Sequence, residues 1–329
     1  MKTYIPNLSG AALKRLGSLL ILAAPAEVLV GLWVLGKLFE LGKPGGGFIE
    51  SCLGLGFVIL VASFLRRTGM DWHKQGKHLS APRAENLISS DPRPPVLYLR
   101  PFQEDSVAAQ GEIQYGGSAQ YGWYELSWVA ETEEEQLAQV MNEIGPFVAI
   151  GKPGEALPEI GAARMYVGHD EWQSRVLELV RRAKLVVLRA GDTDNFLWEF
   201  ETAVKNLRPQ SVIVLLPFDA AQYNAFRKKV KTSMPSLPFS LPDYFPVKPR
   251  GIFDDVIRVF KNEEAAGSLR GVLYFETQWK PRLLELRGLG SGVANPLAQA
   301  LKATLEPVFK QLGVPWKKPS RLLARRYRA

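Results

Sequence analysis

The sequence predicts an α/β protein: a two-helix transmembrane hairpin followed by a doubly wound parallel sheet. Two observations predict it. Two long apolar stretches fill the first 65 residues and no comparable stretch follows. Beyond them, short runs that are apolar throughout alternate with amphipathic segments. That is the pattern of parallel strands covered on both faces by helices.

The first apolar stretch runs from Leu16 to Gly36, broken by Pro25 and Glu27, and the second from Phe48 to Leu65, ending at Arg66-Arg67. Each approaches the ~20 residues that carry a helix across a bilayer. The first is too long for the ~7–15-residue core of a secretory signal. Lys37–Gly47, with Pro44-Gly45-Gly46-Gly47, reads as the turn between spans. Lys2, Lys14 and Arg15 precede the first span, and Arg66, Arg67, Lys74, Lys77 and Arg83 follow the second. The positive-inside rule then expects a multi-pass inner-membrane protein with both termini cytoplasmic. Glu27, near mid-span, is either a functional carboxylate or a neutral one facing a partner helix. Gly54 and Gly56, with Ser51 and Cys52, give a small-residue face for helix packing and homo-oligomer formation.

The net charge of +8 is concentrated in the tail from Lys317 to Ala329, which holds six basic residues and no acid. Beside an anchor, such a tail is expected to lie on anionic lipid. It has no aromatic interleaving or nucleic-acid motif, so nucleic acid is not an expected partner. The single Cys52 excludes disulfides and cysteine metal sites, and His73, His78 and His169 lack metal-ligand spacing. His73 and His78 read as solvated.

Residues 69–94 read as a linker stiffened by Asp91-Pro92-Arg93-Pro94-Pro95, and residues 95–217 as the α/β core. Val96–Leu99 is the first strand, followed by the loop Arg100–Asp105 and an aromatic-rich insertion, Gln110–Trp128. Thr132 and Glu135 form a capping box opening a helix through Ile144. Phe147–Ile150 is a strand, followed by Gly151-Lys152-Pro153-Gly154, and a short strand covers Arg164–Val167. Asp170 caps a helix with Trp172, Val176, Leu179 and Val180 on its apolar face. Leu185–Leu188 is a strand, Gly191–Asn195 a polar loop, Phe196–Leu207 a helix and Val212–Leu216 a strand. Residues 218–329 form a C-terminal extension. It holds a proline-rich loop, an element at Phe253–Phe260, an edge strand at Gly271–Phe275 and a helix capped by Asn295.

Ligands of open α/β sheets bind outside the carboxyl ends of the strands. There the chain has no glycine-rich dinucleotide fingerprint, Walker loop or nucleophile elbow. Candidate ligand-binding residues in these loops are Arg100, Phe102, Asp105, Asp192, Thr193 and Trp198. On the Phe196–Leu207 helix the stripe Leu197, Phe200, Val204 and Leu207 leaves Glu201 on its flank, about 80° from the centre, with Glu199 and Trp198 further out. A carboxylate at the edge of a core suits acid–base chemistry or stabilisation of an oxocarbenium-like centre. The plainer alternative makes Glu199 and Glu201 solvated helix residues.

This order of elements, with Pro153-Gly154 after the second strand and Trp198-Glu199-Phe200-Glu201 opening a later helix, resembles a Toll/interleukin-receptor (TIR) type domain over residues 95–217. The resemblance implies a flavodoxin-like sheet. It implies NAD as a substrate, not a cofactor, cleaved at the nicotinamide–ribose bond. It makes Glu201 catalytic, with Glu199, standing where the family has Cys, as the second candidate acid. Arg100 would hold a phosphate, and Trp198 or Phe102 would stack on a base. The Leu97-Tyr98-Leu99-Arg100-x-Phe102 segment also resembles that of bacterial two-span membrane proteins, which implies no activity. Two functions are therefore expected: a membrane-anchored NAD glycohydrolase in signalling or defence, or a non-catalytic nucleotide- or protein-binding signalling module.

Overall fold

The computed structural model describes residues 8–40, 47–101, 131–151, 160–245, 269–286 and 295–317. They fall into two units, a helical one ending at Ala81 and an α/β one beginning at Pro82.

The helical unit is the hairpin of α1 (Gly10–Glu40) and α2 (Gly47–Leu79). Glycines seven apart line each contact face. A Cβ on Gly17 would stand 2.5 Å from the Gly69 carbonyl oxygen, and one on Gly76 would stand 2.4 Å from the Lys14 nitrogen. Only glycine permits backbones this close. His73, 9 % exposed, is buried in the hairpin with its Nδ1 3.0 Å from Ser18 Oγ, not solvated as its basic surroundings suggest.

Among the described residues, no helix is long and apolar enough to cross a membrane. This overturns the expected spans Leu16–Gly36 and Phe48–Leu65. With them goes the placement as a multi-pass inner-membrane protein with both termini cytoplasmic. Pro25 and Glu27 break the first stretch and Arg66-Arg67 ends the second, and both helices run on into charged residues, α1 over Lys14 and Arg15 and α2 over Arg66, Arg67, Asp71, Lys74 and Lys77. Large apolar side chains, including Leu19, Leu22, Leu29, Phe57, Leu60 and Phe64, nevertheless remain exposed on both helices. The side chains of Glu27, Ser51, Cys52 and Gly54 lie outside the described residues. So do most of the turn, the 110–128 insertion, Pro153-Gly154, Phe253–Phe260 and the basic tail beyond Lys317.

In the second unit, α3 (Ala84–Ser90) precedes a seven-stranded sheet. Residues expected to form a linker are thus largely helical. The strands are β1 (Val96–Leu99), β2 (Phe147–Gly151), β3 (Ala163–Tyr166), β4 (Leu185–Arg189), β5 (Val212–Leu216), β6 (Gly271–Glu276) and β7 (Lys280–Glu285). Their order is β3-β2-β1-β4-β5-β6-β7, parallel through β5 and antiparallel beyond.

The α/β class holds, but the flavodoxin-like order 2-1-3-4-5 does not. The first five strands follow 3-2-1-4-5, the order of dinucleotide-binding sheets. Here β3 lies outside β2 instead of between β1 and β4. Residues 218–329 also complete the sheet instead of extending from it. Among the described residues β6 is an inner strand and β7 forms the edge, where Lys280, Pro281 and Arg282 suit an edge strand.

Two cores flank the sheet. One lies against α5 (Trp172–Arg182), α6 (Asp194–Asn206) and α7 (Ala220–Ser233), and holds Leu97, Leu99, Val186 and Leu188. The other lies against α4 (Glu133–Met141), α8 (Pro296–Thr304) and α9 (Glu306–Gln311), and holds Val96, Tyr98, Leu185 and Val187. The two-residue alternation along each strand assigns side chains to faces.

Two expected caps differ. Glu171, not Asp170, is the N-cap of α5, after a short 3-10 turn. Asn295 has φ 52° and its side chain does not cap α8. Instead, buried Gln136 of α4 offers its Oε1 to the Leu297 N–H at 2.9 Å and the Ala298 N–H at 3.3 Å. The Thr132–Glu135 capping box is present as expected, opening a helix that ends at Met141.

Candidate functional site

The strand order reverses between β1 and β4, so the crevice beyond their carboxyl ends is the switch point of the sheet. Arg100 follows β1 directly and Arg189 closes β4. Leu99 pairs with Leu188, so the two arginines are cross-strand neighbours. Their parity with Tyr98 and Val187 turns both toward α4. Arg164 of β3 shares that face, since it pairs with Ala149 of the α4-side core. Between them on β2, Ala149 is small, and the space a Cβ on Gly151 would take is filled by the Tyr166 ring, with Cε1 2.6 Å away.

The first turn of α4 meets these three arginines with two carboxylates. Glu134 Oε2 lies 2.9 Å from Arg100 Nη1, and its Oε1 lies 2.8 Å from Arg164 Nη2. Glu134 Oε1 also accepts the Ala162 N–H at 3.0 Å. Glu133 pairs with Arg189. All five side chains are more than nine-tenths buried. Gly161 makes room for this hub. It has φ +140°, and a Cβ there would stand 2.6 Å from Glu134 Cγ. Beneath the cluster, burial pushes the Tyr98 hydroxyl up to about 12, with Arg189 the first influence opposing it.

Burial gives guanidinium and carboxylate strong mutual fields. It also fixes the arginine forks, whose planar donors match a phosphate or carboxylate. The acidic first turn has a second effect. In dinucleotide-binding sheets a phosphate sits on a helix N-terminus. In this chain the N-terminus of α4 carries its own acids, Glu133, Glu134 and Glu135, so the helix end is already supplied with negative charge.

The candidate site residues do not form one cleft. Arg100 lies on the α4 face of the sheet, whereas α6, with Trp198, Glu199 and Glu201, packs on the other. Phe102 and Asp105 lie outside the described residues. Thr193 is the N-cap of α6, its Oγ1 accepting the Phe196 N–H at 3.2 Å. Asp192 is exposed, and its carbonyl accepts from Lys229 Nζ. The Trp198 ring meets Trp172 edge to face with centroids 5.0 Å apart.

The two acids of α6 exchange places relative to the sequence reading. The most deeply buried positions are Phe196, Phe200 and Ala203. At 100° per residue this turns the stripe by about 50°, which leaves Glu199 about 70° and Glu201 about 130° from its centre. The cause is lateral packing: Phe196 lies against Phe226 of α7 with centroids 5.7 Å apart, and Trp198 lies against α5. Glu201, half-buried, pairs with Lys205 at 2.8 Å. Glu199 is 7 % exposed and makes no hydrogen bond or ion pair among the described residues; burial pushes its carboxyl up to about 8.

Glu133, Glu134, Arg164 and Arg189 were not singled out by sequence reasoning. Their signal was a charged residue interrupting or ending each of three apolar strands, opposite the acidic run Glu133-Glu134-Glu135. Among the described residues no group of His, Cys, Asp and Glu could hold a metal ion. Set against family models, curated proteins and solved structures, the chain matches none of them.

Proposed function

We propose that the α/β unit is a non-catalytic binding module for a small anionic ligand of the nucleotide class, taken up beyond the ends of β1 and β4. One observation carries this reading: three buried arginines converge on one sheet face at the switch point, held there by Glu133 and Glu134. Fixed guanidinium forks lose little freedom on gripping a phosphate.

The test is a thermal-shift and calorimetric titration of the full chain with pyrophosphate, ADP, ATP, NAD and ADP-ribose. At least one diphosphate should raise Tm and bind more weakly as salt increases. Arg189→Lys keeps the charge but loses the fork, and should weaken binding tenfold or more. A flat response across the panel overturns the proposal.

A hydrolytic reading is favoured by Glu199 alone. In its ionised form, a buried carboxyl raised to about 8 can take a proton from the water that attacks the ribose carbon, while nicotinamide leaves as a neutral base and needs no proton. On this reading NAD is the substrate, and Glu199, not the ion-paired Glu201, is the catalytic carboxyl. Concentrated full-length protein should then consume NAD, Glu199→Gln should abolish that loss, and Glu201→Ala should retain most of it. NAD that persists with the wild-type chain at every concentration sinks this reading.

A further inference from the structure

We infer that the first turn of α4 is a relay that couples occupancy of the switch-point crevice to the start of α8. The inference rests on the anion-binding reading of that crevice and adds a regulatory consequence to it.

Consecutive residues of one helical turn hold different parts of the unit. Glu133 holds Arg189 at the end of β4. Glu134 holds Arg100 beyond β1, Arg164 on β3 and the Ala162 N–H. Glu135 closes the capping box on Thr132. Gln136, fully buried, holds the first N–H groups of α8 through its Oε1, while its Nε2 donates to the Glu131 carbonyl at 3.2 Å.

The last link makes this a relay and not just a brace. Every helix begins with N–H groups that have no partner within the helix, and most helices satisfy some of them with a local cap. Among the described residues α8 has no such cap: Asn295 is left-handed and its side chain makes no capping hydrogen bond. The start of α8 therefore depends on where α4 puts Gln136. α8 packs Leu297, Ala300 and Leu301 into the core beside α4 and leads into α9, so a loosened first turn reaches the C-terminal helical pair.

An anion gripping Arg100 and Arg189 competes with Glu134 and Glu133 for the same guanidinium groups. As those pairs weaken, the first turn of α4 gains freedom, and the hold of Gln136 on Leu297 and Ala298 weakens with it. By linkage, a partner that stabilises the start of α8 would lower affinity at the crevice by the same factor.

Amide hydrogen exchange of the full chain tests the relay. In Glu134→Gln, which needs no ligand, the Leu297 and Ala298 amides should exchange at least tenfold faster, with the β5 amides unchanged. Arg189→Lys should act in the same direction more weakly. Glu143→Gln breaks the 2.5 Å pair with Lys302 between the same two segments but spares the cluster, and should leave both amides at the wild-type rate. Unchanged exchange in both Glu134→Gln and Arg189→Lys overturns the relay, as does equal acceleration at β5. Inorganic pyrophosphate added to the wild-type chain should accelerate the same two amides. If pyrophosphate fails to bind while Glu134→Gln still frees them, the relay stands and the anion-binding reading falls.

Discussion

Glu134→Leu is expected to destabilise the protein by about 3–5 kcal/mol, the usual cost of removing one partner from a buried ion pair. Three groups lose an acceptor at once: Arg100, Arg164 and the Ala162 N–H. The two guanidinium groups stay in a low-dielectric interior with less negative charge beside them, where losing a counter-charge costs most. The loss would appear as a lower urea midpoint with an unchanged slope.

A companion variant separates this cause from packing damage. Replacing Glu134, Arg100 and Arg164 together with Leu, Met and Met removes both charge signs and should recover most of the loss. A single substitution costing less than about 1 kcal/mol would place the network at the level of a surface pair and discard its role as a hub. A triple variant as unstable as the single one would assign the loss to shape. Either result would weaken the crevice as a preformed anion site, because fixed guanidinium forks are its premise.

The second large effect has the opposite sign. Glu199→Gln should stabilise the protein, and by an amount that depends on pH. Burial raises the folded-state carboxyl from its ordinary 4.5 to about 8. Below about pH 4 it is protonated in both folded and unfolded chains and contributes no pH dependence. As pH rises past 4.5, the unfolded chain releases its proton while the folded one keeps it, so stability falls. The fall ends near pH 8, where the folded state also ionises.

At 1.36 kcal/mol per unit, the penalty is on the order of 3 kcal/mol at pH 7 and 5 kcal/mol above pH 8. Glutamine does not titrate, so the variant should show a flatter stability profile between pH 5 and 8. It still buries an amide, and that constant cost shifts the whole profile without changing its slope. Urea denaturation at half-unit pH steps gives both quantities. Parallel profiles for the two proteins would mean that Glu199 ionises in the folded state at an ordinary pH, which would also remove the basis for Glu199 as the catalytic carboxyl.

The two acids of α6 show where sequence reasoning stopped. Helical phasing correctly placed one of Glu199 and Glu201 at the edge of the core, but it chose the wrong flank. A periodicity of 3.6 reports the side of a helix that faces the sheet; it does not report neighbours packing from the side. Phe226 and Trp172 come from other elements, and their rings decide how far α6 turns. Arg100 was placed at the strand end by its position after Leu99. Its partner Glu134 was not legible, because 33 residues and an unpaired charge pattern separate them.

The hairpin was misread for a related reason. Apolar stretches of about 20 residues suggest lipid, whereas the glycines at seven-residue spacing, Gly10 and Gly17 on one helix and Gly69 and Gly76 on the other, suit two helices packed backbone to backbone. Counting hydrophobic residues treats those glycines as neutral, whereas their effect depends on the facing helix.

By itself, the sequence determined six of the seven segments that form the sheet. Val96–Leu99 and Val212–Leu216 are strands to the residue, Phe147–Gly151, Leu185–Arg189 and Gly271–Glu276 run one residue further than expected, Ala163–Tyr166 is shifted by one, and Lys280–Glu285 was not anticipated. Uninterrupted apolar runs of strand-forming residues bounded by polar loops admit little else, and that information is local. Only the tertiary structure decided the strand order, the burial of Glu199, the capping of α8 by Gln136 and the meeting of three arginines with Glu133 and Glu134. Each of these depends on contacts between residues far apart in the chain. Moving β3 outside β2 changes no local preference, yet it brings Arg164 to Glu134.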